Sequence, residues 1–170
     1  MARILIADVA QGAHRLKNIL GEKHRLVYAN NVEQAISLAK TSEPFNLIIV
    51  GVLFDDSRMF DLMKAIKEEP QLGGTPVMGF SDQPTAISVA GREDLETSTH
   101  LVGACDYVDT VNMSDEEIAQ RIDGCLTEAQ GVRRMRKKTD ATPTEKREQQ
   151  EKKRRVRDTS DKYWKVLRSE

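Results

Sequence analysis

The chain is poor in cysteine and aromatic residues, with two cysteines, one tryptophan and 5% aromatics in 170 residues. Cys105 and Cys125 fall in no CxxC or Cys/His spacing, so neither a disulfide framework nor a zinc site is expected, and both read as packing residues. No apolar run approaches the roughly 18 residues a membrane span needs. The start, Met1-Ala2-Arg3, leads into only four apolar residues before Asp8, too few for a signal peptide. These absences point to a cytoplasmic protein with no membrane partner. What is present, 39% hydrophobic and 31% charged residues, suits one domain with a core and an appendage, and excludes a multidomain enzyme.

The net charge of -1 conceals a division. Residues 1–130 carry 11 Lys/Arg and 20 Asp/Glu, while residues 131–170 carry 15 and 7. The chain therefore reads as an acidic domain over 1–130 and a basic C-terminal tail or helical extension over 131–170.

Five short apolar runs have the character of buried parallel strands: Ile4-Leu5-Ile6-Ala7, Leu26-Val27-Tyr28-Ala29, Leu47-Ile48-Ile49-Val50, Pro76-Val77-Met78-Gly79-Phe80 and Cys105-Asp106-Tyr107-Val108. Between them, apolar residues recur near i, i+3, i+4 and i+7. They are Ala13, Leu16, Ile19 and Leu20; Val32, Ala35, Ile36 and Ala39; and Met59, Leu62, Met63 and Ile66. A last helix opens on a capping box, Ser114 with Glu117, and carries the stripe Ile118, Ile122, Cys125, Leu126 and Ala129. Strand and helix alternating in this way predict a doubly wound five-stranded parallel α/β sheet. Ligands of such sheets sit beyond the carboxyl ends of the strands, which directs attention to Asp8-Val9, Gly51, Ser81 and Asp109-Thr110.

At those strand ends the sequence resembles the receiver domain of two-component response regulators, over roughly residues 2–130. Arg3-Ile4-Leu5-Ile6-Ala7-Asp8 resembles the opening that ends in paired acids. Asn46 to Phe54 resembles the strand that ends in the phosphoacceptor aspartate, with Phe60-Asp61-Leu62 following. Thr75 to Ser81 is similar to the strand ending in a hydroxyl, and Gly103 to Val108 to the segment before the family lysine. The resemblance implies a flavodoxin-like sheet of order 2-1-3-4-5. It also implies a pocket that holds Mg²⁺ between acids, phosphorylates a carboxylate, neutralises the transferred charge with lysine and reads it out through a hydroxyl and an aromatic.

Most of those parts are missing. The phosphoacceptor position is Gly51, the second acid is Val9, and the lysine position is Thr110, followed by Val111 where the family has proline. Asp8 and Ser81 remain of the pocket, and Tyr107 stands at the switch-aromatic position. Asp55 and Asp56, in the loop after Gly51, are candidate substitute acids; the plainer reading makes them solvated loop residues, with Asp56 or Ser57 capping the next helix. Between Ser81 and Gly103 the chain is longer than the family pattern. The extra residues fall within 91–100; they either reshape the fourth helix and the partner face it belongs to in this family, or form an inert loop extension.

His14, His24 and His100 share no ligand or nucleophile spacing and read as surface residues. Gly73-Gly74 precedes a strand and signals a turn. No enzyme motif, metal site or cofactor site is expected.

In the tail, residues 131–162 hold four apolar residues against 19 charged ones, too few for a core. A break is expected at 139–144, with Pro143 suited to restart a helix. Apolar groups return at Tyr163, Trp164, Val166 and Leu167, and Tyr163, Trp164 and Leu167 are read as an anchor. The sequence thus describes a stand-alone, degenerate receiver, a pseudo-receiver of bacterial signal transduction. It is expected to act by phosphorylation-independent contact with a protein partner such as a signalling protein, or with a second copy through the last helix and tail. The alternative is a regulator whose basic runs, Arg133 to Lys138 and Lys152 to Arg155, bind nucleic acid.

Overall fold

A computed structural model of the chain describes residues 1–82 and 92–140. The anchor residues Tyr163, Trp164 and Leu167, the run Lys152 to Arg155 and the restart at Pro143 lie outside the described residues. Contacts divide the chain into two compact units, Met1–Ala129 and Gln130–Glu170.

The first unit is built on five parallel strands, β1 (Arg3–Ala7), β2 (Arg25–Ala29), β3 (Leu47–Gly51), β4 (Val77–Ser81) and β5 (Asp106–Asp109), in the order β2-β1-β3-β4-β5. The parallel sheet is the one expected from the apolar runs, and its order is the flavodoxin-like one that the receiver resemblance implies. Each strand matches its run to within about one residue, because a strand covered on both faces must be apolar throughout. In β3 all five residues are buried.

Alternate strand residues serve opposite faces. Leu5, Ala7, Ile48, Val50 and Val77 join one apolar cluster, with residues of α2 (Val32–Ala39), α3 (Met59–Glu68) and α4 (Arg92–Leu101). Ile4, Ile6, Leu47, Ile49, Met78, Phe80 and Val108 join the other, with α1 (Ala10–Leu20) and α5 (Asp115–Asp140). Full burial of each such side chain stabilises the fold by about 1.5–3 kcal/mol. α5 starts on the expected box: the Glu117 carboxylate accepts from the Ser114 N–H at 2.8 Å, and Ser114 Oγ accepts from the Glu117 N–H at 3.2 Å.

Two expectations need correction. Cys105 and Cys125 are joined in a disulfide, with Cα atoms 5.8 Å apart. They stand 20 positions apart, and the packing of the last helix on the sheet brings the start of β5 beside this turn of α5. His24 is largely buried: its Nδ1 accepts from the Ala2 N–H at 3.3 Å, and burial holds its pKa below the ordinary histidine value, partly offset by Asp123 3.7 Å away. α5 continues past its apolar stripe to Asp140, in line with the helical form expected at the start of the extension, through residues of high helix propensity such as Arg134, Met135, Arg136, Lys137 and Lys138.

Between β3 and α3 the single turn Phe54–Ser57 is left-handed, with φ of 46° at Asp55, 56° at Asp56 and 65° at Ser57. Neither Asp56 nor Ser57 caps α3, whose first turn follows Arg58 without a side-chain cap. Asp55 instead caps α2: its Oδ2 accepts from the Val32 N–H at 3.0 Å and from Arg58 at 3.2 Å. Left-handed backbone costs an L-residue roughly 1–2 kcal/mol, more than glycine loses in chain entropy. Asp56→Gly, at an exposed position of this turn, should therefore raise unfolding stability by about 0.5–1 kcal/mol in a urea titration.

Candidate functional site

Four strand ends converge at the C-terminal edge of the sheet. Ladder bonds continue past the strands, from the Val52 N–H to the Phe80 carbonyl and from the Thr110 N–H to the Ser81 carbonyl, both at 2.9 Å. They hold the β3, β4 and β5 ends level. A small cleft opens there, lined by Asp8, Val9, Gln11, Gly12 and Val52 and by Leu53, Phe80, Ser81 and Asp82. The walls are mostly apolar, with Val9 partly exposed at the lip and Ser81 buried.

The Asp8 carboxyl lies where a side chain at position 51 would begin. A Cβ built on Gly51 would stand 1.8 Å from Asp8 Oδ1, and one built on Gly12 would stand 2.0 Å from Asp8 Oδ2. The carboxyl is thus seated between two glycines, one on β3 and one a turn along α1. Its Oδ1 accepts from the Val9 N–H at 2.7 Å, and among the described residues no cation pairs with it. Burial raises its pKa from 3.8 to about 7; the Val9 N–H opposes the rise and the charge of Asp82 adds to it.

A cation does reach the neighbouring position, from an unexpected element. Arg15, on α1, donates through Nη1 to Asp82 Oδ1 and to Thr110 Oγ1, each at 2.9 Å, and through Nη2 to Asp115 at 3.2 Å and the Met113 carbonyl at 3.5 Å. One guanidinium therefore bridges the end of β4, the end of β5 and the start of α5. Arg15, Asp82 and Gly12 escaped the sequence reading. Arginine on an amphipathic helix looks like a surface charge, but a glycine inside that helix, four residues after Asp8, is a local signal of close approach.

Of the residues singled out from the sequence, the structure gathers Asp8, Val9, Gly51 and Ser81 around the cleft and joins Thr110 to it through Arg15. Tyr107 is buried on the other side of β4, in the apolar cluster with Met63, and its ring packs against Gly79. Neither Asp55 nor Asp56 lines the cleft. Asp55 is committed to the α2 cap, and Asp56 is exposed. The lengthened segment before Gly103 contributes α4, Arg92–Leu101.

Mg²⁺, which the resemblance implies, does not fit these residues. Val9 and Gly51 offer no side-chain oxygen, and the Asp8 carboxyl is folded into the glycine gap. No group of three or more His, Cys, Asp or Glu among the described residues could hold an ion.

Two outcomes follow from the seat. Gly51→Ala should cost on the order of 1–2 kcal/mol by displacing the carboxyl, and most of that cost should vanish in an Asp8→Ala background, as a double-mutant cycle by denaturation will read. Asp8 also makes stability depend on pH. Its folded pKa is raised, so the fold holds the proton more tightly than the unfolded chain does. The resulting stabilisation is complete below about pH 4 and is lost as pH rises through 7. Asp8→Asn keeps the acceptor for Val9 and should flatten this slope, leaving the variant more stable than the parent at pH 8 by on the order of 1–3 kcal/mol, with a smaller difference at pH 5.

No protein-family model matches the chain, and no curated protein matches it in sequence. Solved structures do match. A response regulator from Chloroflexus aurantiacus, described as putative, is 20% identical with a TM-score of 0.62, over 74% of this chain and 98% of that one. The signal receiver domain of a signal transduction histidine kinase from Syntrophus aciditrophicus is 25% identical with a TM-score of 0.58, over 75% and 92%. A CheY-like response regulator receiver domain protein from Methanospirillum hungatei is 17% identical with a TM-score of 0.62, over 78% and 98%. Strand order, helix placement and these matches agree: the domain has the fold of response-regulator receiver domains.

Proposed function

We propose that this protein is a degenerate receiver that works in signal transduction by binding a protein partner, without catalysis and without aspartyl phosphorylation. One observation carries the reading: the Asp8 carboxyl occupies the space in which an acceptor side chain at position 51 would have to stand. A receiver pocket that had lost only its nucleophile would leave a hole. Here the hole is filled by the remaining acid, and the bridging guanidinium of Arg15 ties Thr110 to Asp82.

Phosphoryl transfer depends on a nucleophile, a metal and a charge-neutralising group held together within tight tolerances. Position 51 has no side chain to serve as acceptor, and Val9 and Thr110 stand where the resemblance places the second acid and the lysine. Among the described residues no helix is long and apolar enough to cross a membrane, and surface contact is the means of action in this reading. Receiver folds offer several helical faces for it, and the chemistry of the cleft argues for a contact that does not wait for a phosphoryl group.

The test is intact-mass analysis of the full chain incubated with acetyl phosphate and Mg²⁺, beside an ordinary receiver as positive control. No phosphoryl adduct is expected on the native chain. None is expected on Gly51→Asp either, because Val9 and Thr110 still lack the acid and the lysine. An adduct on the native chain, mapped to Asp8, Asp55 or Asp56, would overturn the proposal.

A further inference from the structure

The last helix is fastened to the edge of the sheet by two adjacent rungs. Successive residues of the β5 segment, Cys105 and Asp106, meet residues one turn apart on α5, Cys125 and Arg121. The Arg121 guanidinium grips the Asp106 carboxylate with two N–H donors, Nε at 2.7 Å, and the disulfide closes beside it. The two rungs differ in kind, since one is ionic and the other can be opened by a thiol.

The disulfide lies where α5 leaves the core. Ile118, Ile122, Cys125 and Leu126 are buried, whereas Thr127 and Glu128 are exposed. Gly124, just before the bond, and Gly131, beyond it, would each have open space around a Cβ, and exposed glycines weaken a helix. After Ile122, Cys125 and Leu126 are the buried side chains of α5 among those described, so opening the bond removes one of the helix's last described fastenings, while Arg121 and the buried Ile118 and Ile122 keep the start of the helix in place. Cys105 is half-buried and Cys125 buried, which favours attack at the Cys105 sulfur. The other product also has a place: Cys105 Sγ lies 3.3 Å from the Val77 carbonyl, an acceptor for the reduced thiol.

We infer that Cys105 and Cys125 form a thiol–disulfide exchange site that moors and releases the end of α5, with a low-molecular-weight thiol and its disulfide as co-reactants. A thiolate of the small molecule attacks Cys105 Sγ, the bond to Cys125 Sγ breaks, and the Cys125 thiolate takes up a proton. A second small thiol attacks the mixed disulfide, releasing the Cys105 thiol and a small-molecule disulfide. In sum, one protein disulfide and two small thiols give two protein thiols and one small disulfide, and the reverse reaction restores the mooring. This site is independent of the cleft and of the reading proposed for it.

The experiment uses the full chain, equilibrated in mixtures of reduced and oxidised glutathione, quenched in acid, tagged with a maleimide and weighed. Hydrogen exchange is then followed by mass spectrometry on the oxidised and reduced forms. The pair is expected to interconvert fully and reversibly across those mixtures. Amide exchange within 122–140 is expected to speed up by about fivefold or more on reduction, with β1 and β3 unchanged. A Cys105→Ser, Cys125→Ala double variant should show the reduced pattern in both buffers, and its unchanged β1 and β3 would show that it folds. Three results would each overturn the inference: a pair that stays oxidised or stays reduced throughout, exchange that reduction leaves unchanged, or exchange that rises through the sheet as well as the helix end.

Discussion

Every group at the cleft is positioned by one constraint, the burial of β3 on both faces. Its neighbours β1 and β4 pair with it in register, Ile6 to Ile49 and Ile49 to Met78, and the alternating side chains fill two separate apolar clusters. A slip of one residue would exchange those faces and put every strand end out of place. Because the core does not permit that slip, Asp8, Gly51, Ser81 and Thr110 converge whatever chemistry they retain. This is why a cleft without an acceptor still looks like a site.

What fills such a cleft follows from solvation. A cleft whose walls include Val52, Leu53 and Phe80 solvates a charge poorly, and an empty gap forfeits dispersion contacts. The short Asp8 side chain satisfies both demands only in its neutral form, which is why burial dominates its titration. The opposite solution holds one helical turn along α1. Arg15 stays charged and is offered Asp82, Thr110, Asp115 and a carbonyl in return, a charge-assisted set stronger than any single pair.

The fold was legible because buried parallel strands must be apolar from end to end, and Leu47 to Val50 has no other plausible use. The missing acceptor was legible too, since Gly51 follows that strand directly. The occupant of the gap was not, because the reach of Asp8 into it depends on Gly12, whose significance appears only when α1 is packed against β1. Arg15 was hidden for a similar reason: its partners lie 67 to 100 positions away in sequence. The disulfide joins residues with no shared motif. In the β3–α3 turn, the chain uses Asp55, Asp56 and Ser57 in a conformation that glycine or asparagine would normally announce, so the sequence carried no mark of it.

A switch needs an element with two arrangements and a ligand that prefers one of them. In an ordinary phosphorylated pocket the ligand arrives from outside and draws groups on adjacent strands together. Here the group that joins the ends of β4 and β5 belongs to the chain itself, and it is already in place. An internal bridge has no concentration to vary, so it cannot shift a population; it only sets one. If the domain is a degenerate receiver, Arg15 makes the cleft a place where a state is fixed rather than chosen. Responsiveness would then reside where a fastening is reversible. Among the described residues that condition is met at the last buried turn of α5, where Cys125 and Leu126 are the final side chains the sheet holds.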